Sequence, residues 1–263
     1  MEAEQANYIQ LRRAAEGGVG VIPMGSFEAH GPHLPCGTDS LIVEGMVARA
    51  AVASDADRVV IFPTVRYSVV EWARPFASAG LSPATLLAKL VDVAGDLHRL
   101  GFRKIVFIEG HGNLPAAQLA VWQLRWQGTH ALYVDVCPYL MAAEPAGKIA
   151  GEPITHAGLI ETSLMLALHP DLVNMAAAVD GPTDLYGREF PFPALRGREG
   201  IFCVPSVTDL PDAVEGRATA ATAELGRRLL ETYASAVAEV FNDLLSKDVP
   251  RSFLEPVRKE IKD

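Results

Sequence analysis

Cysteine, basic charge and long apolar runs are all scarce in this sequence. Its three cysteines, at 36, 137 and 203 of 263 residues, are odd in number and far apart, which argues against a disulfide framework and fits a reducing compartment. Lys and Arg total 23 against 32 Asp and Glu, a net charge of -9. That balance disfavours nucleic acid and acidic membranes as general partners and leaves small molecules as the better expectation. No stretch reaches the ~18 uncharged apolar residues of a membrane span, and the N-terminal "MEAEQANYIQLRR" has no basic start leading into an apolar run. A soluble, cytoplasmic chain is expected. Repeats, low-complexity tracts and linkers are also missing, so residues 1–263 read as one domain, and 49% hydrophobic content is ample for its core.

What is present has a clear rhythm. Four short runs, "VGVIPM" (19–24), "RVVIFPTV" (58–65), "KIVFIEG" (104–110) and "ALYVDVC" (131–137), are almost continuously apolar, as strands covered on both faces must be. The stretch 82–101 between them has Ser82 to cap a helix, Pro83 in its first turn and Gly101 to stop it. Residues 115–127 read the same way, "AGLIETSLMLALHP" is a helix ended by Pro170, and "ATAATAELGRRLLETYASAVAEVFNDLL" is a long amphipathic helix. Strand alternating with helix predicts an α/β fold, a mostly parallel sheet with helices on both faces. Residues 174–208, rich in Pro, Gly and aromatics, read as a long ordered loop or lid.

In such sheets the loops leaving the carboxyl ends of the strands share one edge, where ligands bind. "GSFEAHGPHLPCGTD" (25–39) leaves the first strand and "GHGN" (110–113) the third, so Glu28, His30, Asp39 and His111 can converge. Mixed carboxylate and imidazole donors suit Zn, Mn or Fe(II); the same residues would otherwise be turn and capping groups. In "THAGLIETS" (155–163), His156 and Glu161 stand five apart at a helix start, readable as site groups or as residues favoured by the helix dipole.

Together "PMGSFEAHGPHLPCGTD", "GFRKIVFIEGHGN", "HAGLIETSLML" and "ATAATAELGRRLL" resemble the creatininase (creatinine amidohydrolase) family over about residues 18–235. The resemblance implies a three-layer α/β/α sandwich, a homohexamer and two divalent metal ions per chain, Zn first with Mn or Fe as alternatives. It implies that Glu28 and His30 each bind one ion, Asp39 bridges both, and His111 joins Glu28. Two positions depart from the family. Creatininase proper carries a Glu two residues past this His as a ligand of the second ion, where this chain has Asn113, which argues against creatinine itself as substrate. Glu161 is the candidate to fill that gap. Glu109 stands where the family usually has Asn, as a charge beside the site or a hydrogen-bond partner of a ligand His.

The expected reaction is metal-dependent hydrolysis of a non-peptide C–N bond in a cyclic amide, amidine or formamide, with His156 as proton donor and Glu161 as its orienting group or a metal ligand. Opening of a lactone or keto-sugar ring is the alternative, and a catalytically silent metal-binding subunit a further one. Substrate contacts are expected from Tyr67, Trp72, Arg74 and Asn113, with Arg66 as an alternative anion partner and Phe76 as another stacking ring. The aromatics of this loop read equally well as an interface, and Trp122 and Trp126 as core or interface. Tyr186, Phe190 and Phe192 are placed to close the pocket. A Cys36 thiolate nucleophile is disfavoured, because the ligands leave it no activating His–acid pair.

Overall fold

The computed structural model describes residues 1–112, 115–183 and 210–254, with the side chains of Glu71, Trp72, Arg74 and Pro211 outside the described set. Four apolar runs form parallel strands: β1 (Val19–Met24), β2 (Val59–Ile61), β3 (Lys104–Glu109) and β4 (Leu132–Val136), in the order β2-β1-β3-β4. The helices are α1 (Tyr8–Ala15), α2 (Thr38–Val52), α3 (Pro83–Leu100), α4 (Pro115–Trp126), α5 (Pro138–Met141), α6 (Ala143–Ala150), α7 (Leu159–Leu168), α8 (Ala223–Ser246) and α9 (Arg251–Leu254).

Alternation along the strands builds two cores. Ile22, Met24, Ile105 and Phe107 face Leu86, Leu90 and Leu97 of α3 and Ala120 and Leu124 of α4. Val19, Val21, Val106 and Ile108 face Val43 and Val47 of α2 and Val237 and Phe241 of α8. The sheet is therefore the middle of a three-layer α/β/α sandwich, as expected, with α7 packed outside α2 and α8. Lys104, buried at the start of β3, donates to the carbonyls of Leu244 (2.5 Å) and Lys247 (2.6 Å) and so ties the end of α8 to the sheet.

Helix α3 has the predicted ends: the Ser82 hydroxyl accepts from Thr85 N, and Gly101 is left-handed at φ 120°. Three expectations shift. The second run pairs only over Val59–Ile61: Phe62 N still donates to Val21 O, but the next donor to β1 is Val65 N, to Pro23 O, so one extra residue breaks the register before the isolated Met24–Val65 bridge. The long C-terminal helix starts at Ala223 rather than Ala218, since the Thr222 hydroxyl accepts from Leu225 N and ends the preceding 3-10 turn. Asp39 lies in the first turn of α2, not in the loop before it. Among the described residues no helix is long and apolar enough to cross a membrane.

Order β2-β1-β3-β4 puts β1 and β3 side by side although β2 comes between them in sequence. At such a switch point the following loops diverge and leave a crevice. Gly110 lets α2 close on that crevice, since a Cβ there would lie 2.5 Å from the Val43 Cβ and 2.9 Å from the Asp39 carbonyl oxygen.

Candidate metal centre

Glu28, His30, Asp39, His111, His156 and Glu161 meet at this crevice. The first two come from the loop after β1, Asp39 from the first turn of α2, His111 from the end of β3, and the last two from the entry to α7. Glu28, His30 and Asp39 are at most 2% exposed, and Glu161 is 6% exposed.

Asp39 stands at the middle. One of its oxygens, Oδ1, is 3.0 Å from His30 Nε2; the other, Oδ2, is 2.7 Å from His111 Nδ1 and accepts from the Ser26 hydroxyl at 2.6 Å. His111 Nδ1 is also 3.0 Å from Glu28 Oε1, and His30 Nε2 is 3.7 Å from Glu161 Oε2. Donor atoms within 4.8 Å of one another fall into the groups Glu28–Asp39–His111 and His30–Asp39–Glu161, which share Asp39, and a third group, Glu28–His30–His156.

The three imidazoles repeat one arrangement. Each directs one ring nitrogen at a backbone carbonyl: His30 Nδ1 at Glu28 O (3.1 Å), His111 Nε2 at Val69 O (3.1 Å), and His156 Nε2 at Ala29 O (2.8 Å). Each turns the other nitrogen toward the carboxylates. This is how a ligating imidazole is held, its outer N–H donated and its inner lone pair aimed at the ion.

Without an ion, His30 and His111 face acceptors at both nitrogens, so both rings are protonated donors. Burial opposes the charge on His30, but Asp39, by charge and hydrogen bond, and then Glu161 and Glu28 raise its pKa to about 10. Burial likewise opposes His111, which the Glu28 charge and the hydrogen bonds to Asp39 and Glu28 hold well above the ordinary value. Burial works against an ionised Asp39, yet His30 and His111 keep it well below the usual carboxylate range. Burial pushes Glu161 up to about 7, raises Glu28, and with the His30 charge holds His156 well below 6.5 and neutral.

The remaining expectations divide. Tyr67 is 49% exposed, with its ring 6.3 Å from that of Phe27, the neighbour of Glu28. Arg66 is engaged in a surface ion pair with Glu44 at 2.7 Å, and so is not a free anion anchor. Trp72 and Arg74 lie in the 3-10 helix Glu71–Phe76, but their side chains fall outside the described set. Asn113, Tyr186, Phe190 and Phe192 lie outside the described residues. Cys36 is half-buried, and its carbonyl accepts from Glu28 N at 2.9 Å. Trp122 and Trp126 are 76% and 87% exposed on α4, which excludes the core reading. Sequence reasoning missed Ser26, which holds Asp39, and His33, 1% exposed and joined to Thr162 of α7 at 2.9 Å. Their signal was polarity inside an otherwise buried motif.

The family model for creatininase, described as creatinine amidohydrolase, matches residues 4–241. This chain belongs to the creatininase family. Creatinine amidohydrolase of Pseudomonas putida is 28% identical over 89% of this chain and 92% of its own length. The mycofactocin precursor peptide peptidase of Mycolicibacterium smegmatis is 31% identical over 83% and 82%, and the 3-dehydro-scyllo-inosose hydrolase of Thermotoga maritima 26% over 86% and 78%. In fold, the chain matches a Zn-Zn form of a mutant creatininase at TM-score 0.76 (24% identity, 94% of this chain and 98% of that one). The Mn form of creatininase matches at TM-score 0.77 (23% identity, 94% and 99%). Creatininase-family relatives are thus named for chemically different substrates.

Proposed function

We propose that the chain is a divalent-metal-dependent hydrolase that cleaves a non-peptide C–N bond of a small molecule: a cyclic amide, amidine or formamide. The observation that carries this reading is Asp39, whose two oxygens face different imidazoles and which two candidate ligand groups share. The residues fit divalent ions. Three carboxylates and three imidazoles are nearly sequestered from water, each ring is oriented by a backbone carbonyl, and Glu28 Oε2 is buried with no hydrogen-bond partner among the described residues. Glu28, Asp39 and His111 would hold one ion, and His30, Asp39 and Glu161 the other, Glu161 taking the place of the ligand that Asn113 does not provide. Zn is favoured for the mixed N and O donors, with Mn or Fe as alternatives, and neighbours in fold include Zn-Zn and Mn forms. Bound divalent ions supply acidified water at neutral pH and Lewis acidity at the scissile carbonyl.

His156 handles the proton. Its Nε2–H is donated to Ala29 O, so Nδ1, 3.7 Å from Glu28 Oε1, carries the lone pair that faces the reacting centre. The neutral ring first accepts a proton from the attacking water and then returns it to the leaving nitrogen. This keeps His156 as the proton donor to the leaving nitrogen and adds the step that loads it, because burial keeps the resting ring unprotonated.

The test is metal content beside activity. Protein expressed with Zn and Mn should carry two ions per chain and lose hydrolysis on chelation; no more than trace metal overturns the reading. A new amine in the product, tethered when a cyclic amide opens and released from a formamide, separates C–N cleavage from ring opening of a lactone or keto-sugar, and an unreactive loaded protein would be the silent subunit. Loading at pH 7 should release protons, because ions displace those on His30 and His111. The metal-free protein follows the opposite rule. His30, raised from 6.5 to about 10, stabilises the fold fully below pH 6.5 and progressively less as pH rises through 10. Calorimetric melting should therefore show the metal-free Tm falling across that window.

The assembly is proposed as a closed symmetric oligomer, most simply a hexamer, with Leu119, Trp122 and Trp126 of α4 as one contact. These side chains are 52%, 76% and 87% exposed along one helix face, an apolar patch of the kind that marks contact surfaces. Light scattering on Trp122→Glu/Trp126→Glu should show smaller particles than the unmodified chain. Identical masses would remove this face from the interface.

A further inference from the structure

His33 takes no part in the candidate ligand groups, yet it is 1% exposed and sits where the two ligand-bearing loops touch. Its Nε2 is 2.9 Å from Thr162 Oγ1, across 129 residues of sequence. The Thr162 hydroxyl spends its only proton on the Ala157 carbonyl at 3.1 Å. It must therefore accept from His33 Nε2–H, and because Nδ1 is buried with no acceptor among the described residues, the ring is the neutral Nε2–H tautomer, in keeping with the burial that lowers its pKa.

The Ala157 peptide is thereby gripped on one side. On the other, Ala157 N donates to Glu161 Oε2 at 2.6 Å. Ala157 itself is held at φ 53°, a left-handed conformation costly for a residue with a Cβ, and it directly follows His156. The relay runs from His33 through Thr162 and Ala157 to the Glu161 carboxylate. Its other end is anchored, because the His33 carbonyl accepts from Asn174 N at 2.9 Å. Gly31 leaves room for the ring: it is left-handed at φ 70°, and a Cβ there would lie 2.8 Å from His33 Nδ1.

We propose that His33 is a positioning residue, which through Thr162 sets the strained Ala157 turn and with it Glu161 and His156. This rests on the two-ion reading for its functional consequence but not for its geometry. The strain at Ala157 explains the need. A turn that would relax on its own must be held by its surroundings, and the relay holds it at the carbonyl while Glu161 holds the N–H.

The experiment compares His33→Phe and Thr162→Val, which break the relay, with His33→Gln and Thr162→Ser, which keep a donor and a hydroxyl at the right places. Two readouts are taken: hydrogen exchange at the Ala157 amide in metal-free protein, and stepwise Mn and Zn binding by calorimetry. The breaking variants should exchange about tenfold faster or more at Ala157, and one ion, that of the Glu161 half, should bind about 10- to 100-fold less tightly while the other is kept. The conservative variants should restore both. Unchanged Ala157 exchange in Thr162→Val overturns the proposal, as does equal weakening of both ions with no rescue by Thr162→Ser. If the unmodified protein binds no ion, the metal reading fails, and the exchange data alone decide for or against the relay.

Discussion

Asp39→Ala should strip both ions from the protein and lower turnover by about a thousandfold or more, a larger loss than the 10- to 100-fold typical of residues that merely orient ligands. The side chain is 2% exposed, and each of its oxygens faces a different imidazole. Glu28 and Glu161 each belong to only one of the two groups that share Asp39. The metal-free protein should suffer as well. Removing Asp39 takes the nearest counter-charge from buried, protonated His30 and His111, leaving His111 with Glu28 and His30 with the more distant Glu161, a loss of up to about 3–5 kcal/mol by analogy with broken buried ion pairs. Elemental analysis, turnover and thermal melting read the three effects separately. Asp39→Ala protein that still holds two ions would show that the aspartate is not shared.

Glu161→Gln should divide the site. Gln keeps the length and can still accept from Ala157 N, but it lacks the charge that holds a divalent cation, so one ion should be lost and the other retained. Burial already pushes the Glu161 carboxyl up to about 7, so its charge is withheld at low pH. Occupancy of this half in the unmodified protein should accordingly fall as pH drops below about 7. His156→Asn is the counterpart: rate should fall with little loss of metal, because the ring nitrogen facing the site moves a proton. Full double occupancy in Glu161→Gln would mean that the carboxylate only braces the Ala157 turn, as helix N-terminal carboxylates often do.

Much of the fold was legible along the chain because its signals are local. The strand runs are continuous because the sheet is covered on both faces, and α3 carries its own cap at Ser82 and stop at Gly101. Helix α2 gave no such signal. It is packed between the sheet on one side and α7 and α8 on another, so apolar residues surround it and the amphipathic period that marks a surface helix is lost. For that reason Asp39 read as a loop residue.

The donor inventory was likewise written in the sequence: Glu28, His30, Asp39, His111, His156 and Glu161, in motifs whose residue types favour borderline divalent ions. How those donors are arranged was decided only by tertiary structure. Strand order β2-β1-β3-β4 brings His111 to Asp39 across 72 residues, and the packing of α7 against α2 brings Glu161 to His30. The nitrogen that each of the three site histidines turns to the carboxylates, the protonation of His30 and the link from His33 to Thr162 depend on which backbone carbonyl, carboxylate or hydroxyl each ring meets. Those contacts exist only once the loops at the carboxyl edge of the sheet have closed on one another.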